Sequence, residues 1–82
     1  MSGRHRFEVV ARGGARGLAR VLDVLALLDL TPDDLQSLRQ GDDVIIQISF
    51  ESEPRLAQLC RARLRELVVV RAFRDPDEPP SA

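Results

Sequence analysis

The most regular alternation in the chain runs from Asp43 to Glu51. Val44, Ile46, Ile48 and Phe50 fall on one side, and Ile45, Gln47, Ser49 and Glu51 on the other. A period of two in β-branched and aromatic residues predicts a strand with one buried face. Gly41-Asp42-Asp43 before it has the composition of a turn. Arg4–Arg12 alternates in the same way, setting His5, Phe7, Val9 and Ala11 against Arg6, Glu8, Val10 and Arg12, and predicts an earlier strand. Between the two the period lengthens. Leu18, Val21, Leu22, Leu25 and Leu28 have the spacing of an amphipathic helix over Leu18–Asp29. Val24 and Leu27 widen its apolar face beyond what one sheet requires, so they pack on another element or face a partner. Ser52–Glu66 predicts a second helix, with Ser52 as N-cap, Pro54 in the first turn, and Leu56, Leu59, Cys60, Leu64 and Leu67 as its buried stripe. Val68–Arg74 predicts a last strand. Its phase stays open, because Val68, Val70 and Ala72 are about as apolar as Val69 and Phe73.

Thr31–Gln40 supports two readings. Thr31-Pro32-Asp33-Asp34 has the marks of a helix start and Gly41 of a stop, so local rules favour a short helix. The competing reading is an edge strand over Asp34–Arg39, joined to the next strand by the Gly-Asp-Asp turn. With a strand there the order is βαββαβ, the α+β ferredoxin-like arrangement. Right-handed crossovers then place two helices on one face of a four-stranded antiparallel sheet. They cover the face that Val44, Ile46, Ile48 and Phe50 present.

Composition narrows the function. Eighty-two residues make one domain, spanning residues 4–74, and Asp75–Ala82 reads as a disordered C-terminal tail. A net charge of −1 and an acidic pI of about 5.7 argue against nucleic acid as a partner. The alternation also turns Phe7 and Phe50 inward, leaving no aromatic platform for bases. The most apolar stretch, Leu18–Leu30, is too short and too charged to span a membrane. A single cysteine, Cys60, fits a reducing, cytoplasmic setting. On the apolar stripe of the second helix it reads as a small hydrophobe and not a nucleophile. His5 is the only histidine, so no catalytic set and no metal site is expected. The acids at positions 33, 34, 42 and 43 are explained by caps and turns.

One stretch has the physics of a site. Arg12, Gly13, Gly14, Ala15, Arg16 and Gly17 form a glycine-rich turn from strand to helix. Free backbone N–H groups at a helix start, with two arginines, would seat a carboxylate. The competing reading is an ordinary tight turn whose glycines allow positive φ or a close backbone approach.

Leu18-Ala19-Arg20-Val21-Leu22 after the turn, the short strand at Leu35–Arg39, the alternating strand Val44–Phe50 and Leu64-Arg65-Glu66-Leu67-Val68-Val69-Val70 occur in an order that resembles the ACT-domain family. The likeness is greatest to the small regulatory subunits of acetolactate synthase. It covers about Phe7–Phe73 and favours the edge strand over the helix. It implies a non-catalytic module without a cofactor of its own. Thiamine diphosphate, Mg²⁺ and FAD would belong to a larger catalytic partner in branched-chain amino acid biosynthesis. It also implies a homodimer joined edge to edge through Leu35, Gln36, Ser37, Leu38 and Arg39, with the glycine turn near the interface as the place for an amino-acid effector. One departure matters. Effector-binding members carry Asn or Asp shortly before Pro-Gly in the turn. Here Gly13 stands at the polar position, and Ala15 and Arg16 stand for Pro and Gly. This chain is more similar to small subunits that support activity without mediating feedback inhibition.

Overall fold

The structure is a computed structural model that describes residues 2–76. Its elements are β1 (Gly3–Arg12), α1 (Ala15–Leu27), β2 (Asp34–Gln40), β3 (Asp43–Ser52), α2 (Pro54–Glu66) and β4 (Val70–Arg74). The four strands form one antiparallel sheet in the order β2-β3-β1-β4. This is the expected βαββαβ fold.

The two alternations meet in register. Phe7 lies opposite Ile48, Val9 opposite Ile46 and Ala11 opposite Val44, so the buried faces of β1 and β3 make one surface. Val21, Val24 and Leu25 of α1 and Ala57, Cys60 and Leu64 of α2 close over it. Phe7 sits at the centre, edge-on to Phe50 at 5.2 Å between ring centroids and 5.1 Å from Phe73. Burying each large side chain of this kind contributes about 1.5–3 kcal/mol.

Residues 34–40 form the edge strand. Seven consecutive residues of β2 pair with β3, from Asp34 opposite Ser49 to Gln40 opposite Asp43. A lone helix of that length would have satisfied few of its own amides, and the outer edge of β3 would have stayed open.

Several boundaries differ from expectation. Helix α1 begins at Ala15, with Gly14 as N-cap, and ends at Leu27. Ser52 is not the cap of α2. It is the buried last residue of β3, its hydroxyl donates to the Glu53 carbonyl, and Glu53 is the N-cap ahead of Pro54. In α2 the core position expected for Leu59 is taken by Ala57, and Leu59 is exposed. Val24 is spent on the chain's own core, whereas Leu27 stays 84% exposed. Strand β4 starts two residues late, at Val70.

The open question of phase in β4 is resolved by neither choice. The register shifts where Val10 and Ala11 face Ala72 and Val70. The extra residue lets Val70 and Phe73, three apart, both turn inward against the core. Asp75, assigned to the tail, is held by Arg61 at 2.6 Å, its side chain almost wholly buried. The rest of the proposed tail, residues 77–82, lies outside the described residues.

Candidate functional site

The glycine turn is built by backbone geometry. Gly13 and Gly14 have φ of 89° and 58°, a region open to glycine and strained for other residues. Gly17 serves a different need. A Cβ there would lie 2.1 Å from the Arg12 carbonyl oxygen, so only glycine lets the first turn of α1 press onto the end of β1. Positive φ and close approach, both anticipated, are each present at different glycines.

The expected free N–H groups are not found at Gly13 and Gly14. Both donate to the Asp42 carbonyl, at 3.2 and 3.3 Å. Arg16 N–H donates to the Gly13 carbonyl and Leu18 N–H to that of Gly14. Arg12 N–H donates to the Val69 carbonyl at 2.8 Å. The turn is thereby tied to the β2–β3 hairpin on one side and to the α2–β4 connection on the other. Its tie to Asp42 brings residues 12–17 to the end of the sheet where β2 finishes at Arg39 and Gln40. The two candidate regions are therefore neighbours.

The side chains of Arg12 and Arg16 are exposed and make no ion pair among the described residues. Arg12 faces Asp43 in register, but Asp43 bonds Arg71 at 3.1 Å. Two shallow depressions, of about 380 and 260 Å³, lie over the sheet face away from the helices. The larger is bordered by Arg6, Glu8, Asp34, Gln47, Ser49 and Arg74, the smaller by Gln36, Leu38 and Ile45, and neither includes a residue of the turn.

Leu35, Gln36, Ser37, Leu38 and Arg39 are placed on a sheet edge, as expected. All but half-buried Leu35 are exposed. Gly41 and Asp42 make a two-residue hairpin turn with Gly41 at φ 64°. The flanking pair Gln40 and Asp43 then exchanges hydrogen bonds, and the alternation leaves Leu35, Ser37 and Arg39 with N–H and C=O on the outer side.

Cys60 is fully buried, and burial pushes its thiol up to about 11, with the charge of Arg61 pulling weakly the other way. It is a core residue, as read from the sequence. A His5 ring nitrogen lies 3.3 Å from the Ser52 carbonyl oxygen, an end-of-strand contact. No cluster of metal-ligating side chains occurs among the described residues. Arg61 and Arg65 of α2, which the apolar stripe does not single out, lie over the rings of Phe7 and Phe73, at 5.8 and 4.9 Å. The signal was their spacing of four along α2, which puts two cations on the flank beside β4.

The family profile of an ACT-like domain matches residues 2–75, almost all of the chain. The chain belongs to the ACT-like domain family. No curated protein sequence matches it. Among solved structures, this ACT-like chain is similar to the ACT domain of GTP pyrophosphokinase from Chlorobium tepidum. The TM-score is 0.76 at 7% identity, over 99% of this chain and 93% of that one. An uncharacterized protein of Thermotoga maritima matches with a TM-score of 0.74 at 10% identity, over 94% of this chain and all of that one. The C-terminal domain of the MgtC protein from Mycobacterium tuberculosis matches at 0.63 and 15% identity, over 96% and 93%. At such identities the likeness speaks for the shared fold. No helix among the described residues is long and apolar enough to cross a membrane.

Proposed function

We propose that this ACT-like domain is a non-catalytic regulatory module, similar in role to the small subunit of acetolactate synthase in branched-chain amino acid biosynthesis. It acts in the cytoplasm, pairs with a second copy through residues 35–39 of β2, and stabilises or activates a larger thiamine-dependent catalytic chain. The observation that carries this reading is the contrast between its two candidate regions. The glycine turn has no polar side chain where effector-binding members hold one, and Asp42 occupies its Gly13 and Gly14 N–H groups. The β2 edge, in contrast, is seven residues long and has no further strand beside it among the described residues, and such an edge needs a covering. The test is to titrate the purified chain into the thiamine-diphosphate-dependent synthase of the same organism. A saturable rise in turnover is expected, and unchanged turnover at excess chain would sink the proposal.

A second reading is a free-standing amino-acid sensor. It is favoured by the nearness of Arg12 and Arg16 to the end of β2, where a paired copy would wall in the turn. A ligand that binds only the folded chain raises its melting temperature by mass action. Valine, leucine and isoleucine are expected to produce little or no shift. A rise of several degrees at sub-millimolar ligand would transfer the preference to the sensor.

A further inference from the structure

The sheet face away from the helices carries an uninterrupted apolar row. Leu38 of β2 lies opposite Ile45 of β3, Ile45 opposite Val10 of β1, and Val10 opposite Ala72 of β4. Leu38 is 65% exposed, Ala72 is exposed, and Val10 and Ile45 are half-buried. An antiparallel sheet can leave one face to water, but such a face has no need of one apolar residue from every strand in the same row.

The polar positions around the row have an order of their own. On the same face Arg4 pairs in register with Glu51, Arg6 with Ser49, Glu8 with Gln47 and Arg12 with Asp43. Each basic residue of β1 thus meets an acid or a neutral side chain on β3, and the acid Glu8 meets a neutral one. Consider two such faces stacked about a two-fold axis that runs along the strands between β1 and β3. The axis sets β1 of one copy over β3 of the other. Every outward residue of β1 then faces the copy of its own register partner. Val10 meets Ile45, Arg4 meets Glu51, and Arg12 meets Asp43 beside the Arg71 that Asp43 holds in its own chain. On the outer strands Leu38 meets Ala72 and Arg74 meets Gln36. Aligned sheets pack with their strands rotated by about 30°, which keeps the central pairs matched and displaces those at the ends.

We infer that the helix-free face of the sheet is a docking surface for a second copy of this chain, stacked face to face about that axis. The face has sufficient area. At about 3.3 Å of rise per residue and about 4.8 Å between strands, the four strands cover about 500 Å². Two copies would bury roughly 1,000 Å², the lower limit for a specific interface. This contact is separate from edge pairing through β2 and does not depend on it. The two together would build a four-chain assembly.

Sedimentation equilibrium of the intact chain and three variants separates the two contacts. Ile45→Lys sets a charge in the middle of the apolar row without entering the core. It is expected to weaken the face contact at least about tenfold and leave only edge-paired dimers. Arg12→Glu, which would oppose Asp43 of the other copy, is expected to act in the same direction. Ser37→Pro disturbs the edge and is expected to leave face-paired dimers. Circular dichroism should show all three folded, and if Ile45→Lys is not, Arg12→Glu carries the test. A folded Ile45→Lys or Arg12→Glu protein with the mass of the unaltered chain would overturn the face contact while leaving edge pairing intact. An unaltered chain that stays monomeric at millimolar concentration would overturn both.

Discussion

Asp29 holds a backbone conformation that most side chains avoid, with φ at 55°. It stands just past the C-cap Leu28 of α1. Its N–H donates to the Ala26 carbonyl and that of Leu30 to the Leu25 carbonyl, at 3.1 and 2.8 Å. This is the Schellman closure of a helix, sealed by the buried pair Leu25 and Leu30. Glycine is the usual residue at that point because it lacks a Cβ. Asp29→Gly is therefore expected to stabilise the chain by about 0.5–1 kcal/mol in urea unfolding. At the other end of α1 the sign reverses. Gly17→Ala drives a methyl group into the Arg12 carbonyl, which belongs to a strand and cannot swing away. A loss of about 2–4 kcal/mol is expected, and a loss below 1 kcal/mol would mean that α1 sits farther from β1. The sequence marks the turn glycines as a group, without separating Gly17 from Gly13 and Gly14, and it does not mark Asp29. A helix closed by a non-glycine residue leaves no compositional sign of where it stops, which is why the sequence pattern sets the end of α1 at Asp29, two residues past Leu27.

The elements were legible wherever a face was buried against the sheet. Alternation in residues 4–12 and 43–51 predicts the strands and their buried faces, because a one-residue slip would expose every apolar side chain; that the two strands pair with each other is seen only in the structure. The helical stripes were legible in outline and blurred at their margins. Leu22 and Leu25 both fit the periodicity of α1, yet Leu25 is buried and Leu22 only half so. Leu25→Ala should cost about 2–5 kcal/mol and Leu25→Asp should unfold the chain. Leu22→Ala is expected to cost less than half as much as Leu25→Ala. Equal losses in chemical denaturation would count against the packing of α1 described above. Two elements were beyond periodicity. The bulge in β4 breaks the period of two within five residues. The edge strand β2 has one face on the margin of the core and is entered through the helix-start residues Thr31-Pro32-Asp33-Asp34. Its pairing with β3 decides its structure, and that is a long-range contact that local propensity does not record.

At the scale of the whole molecule, the sheet ends in a strand whose hydrogen-bonding groups are half used. Ladder alternation directs the amides of Gln36, Leu38 and Gln40 to β3 and those of Leu35, Ser37 and Arg39 outward. The candidate site was legible in the sequence as a turn and a strand, but whether either acts depends on what covers this edge, and a pattern within one chain does not encode that. Amide hydrogen exchange reads it residue by residue. In a lone chain Gln36, Leu38 and Gln40 should be protected and Leu35, Ser37 and Arg39 should exchange freely. In an edge-paired dimer all six should be protected, and the outer three should lose protection on dilution below the dimer's dissociation constant. Ser37→Pro removes an outward N–H without touching the ladder to β3, a place where an edge strand tolerates proline. It is expected to strip protection from Leu35 and Arg39 and leave Gln36 and Leu38 as they were. If Leu35 and Arg39 exchange freely in the unaltered chain at millimolar concentration, the edge is bare in solution. Pairing through β2 then fails, and with it the walled turn that the sensor reading needs.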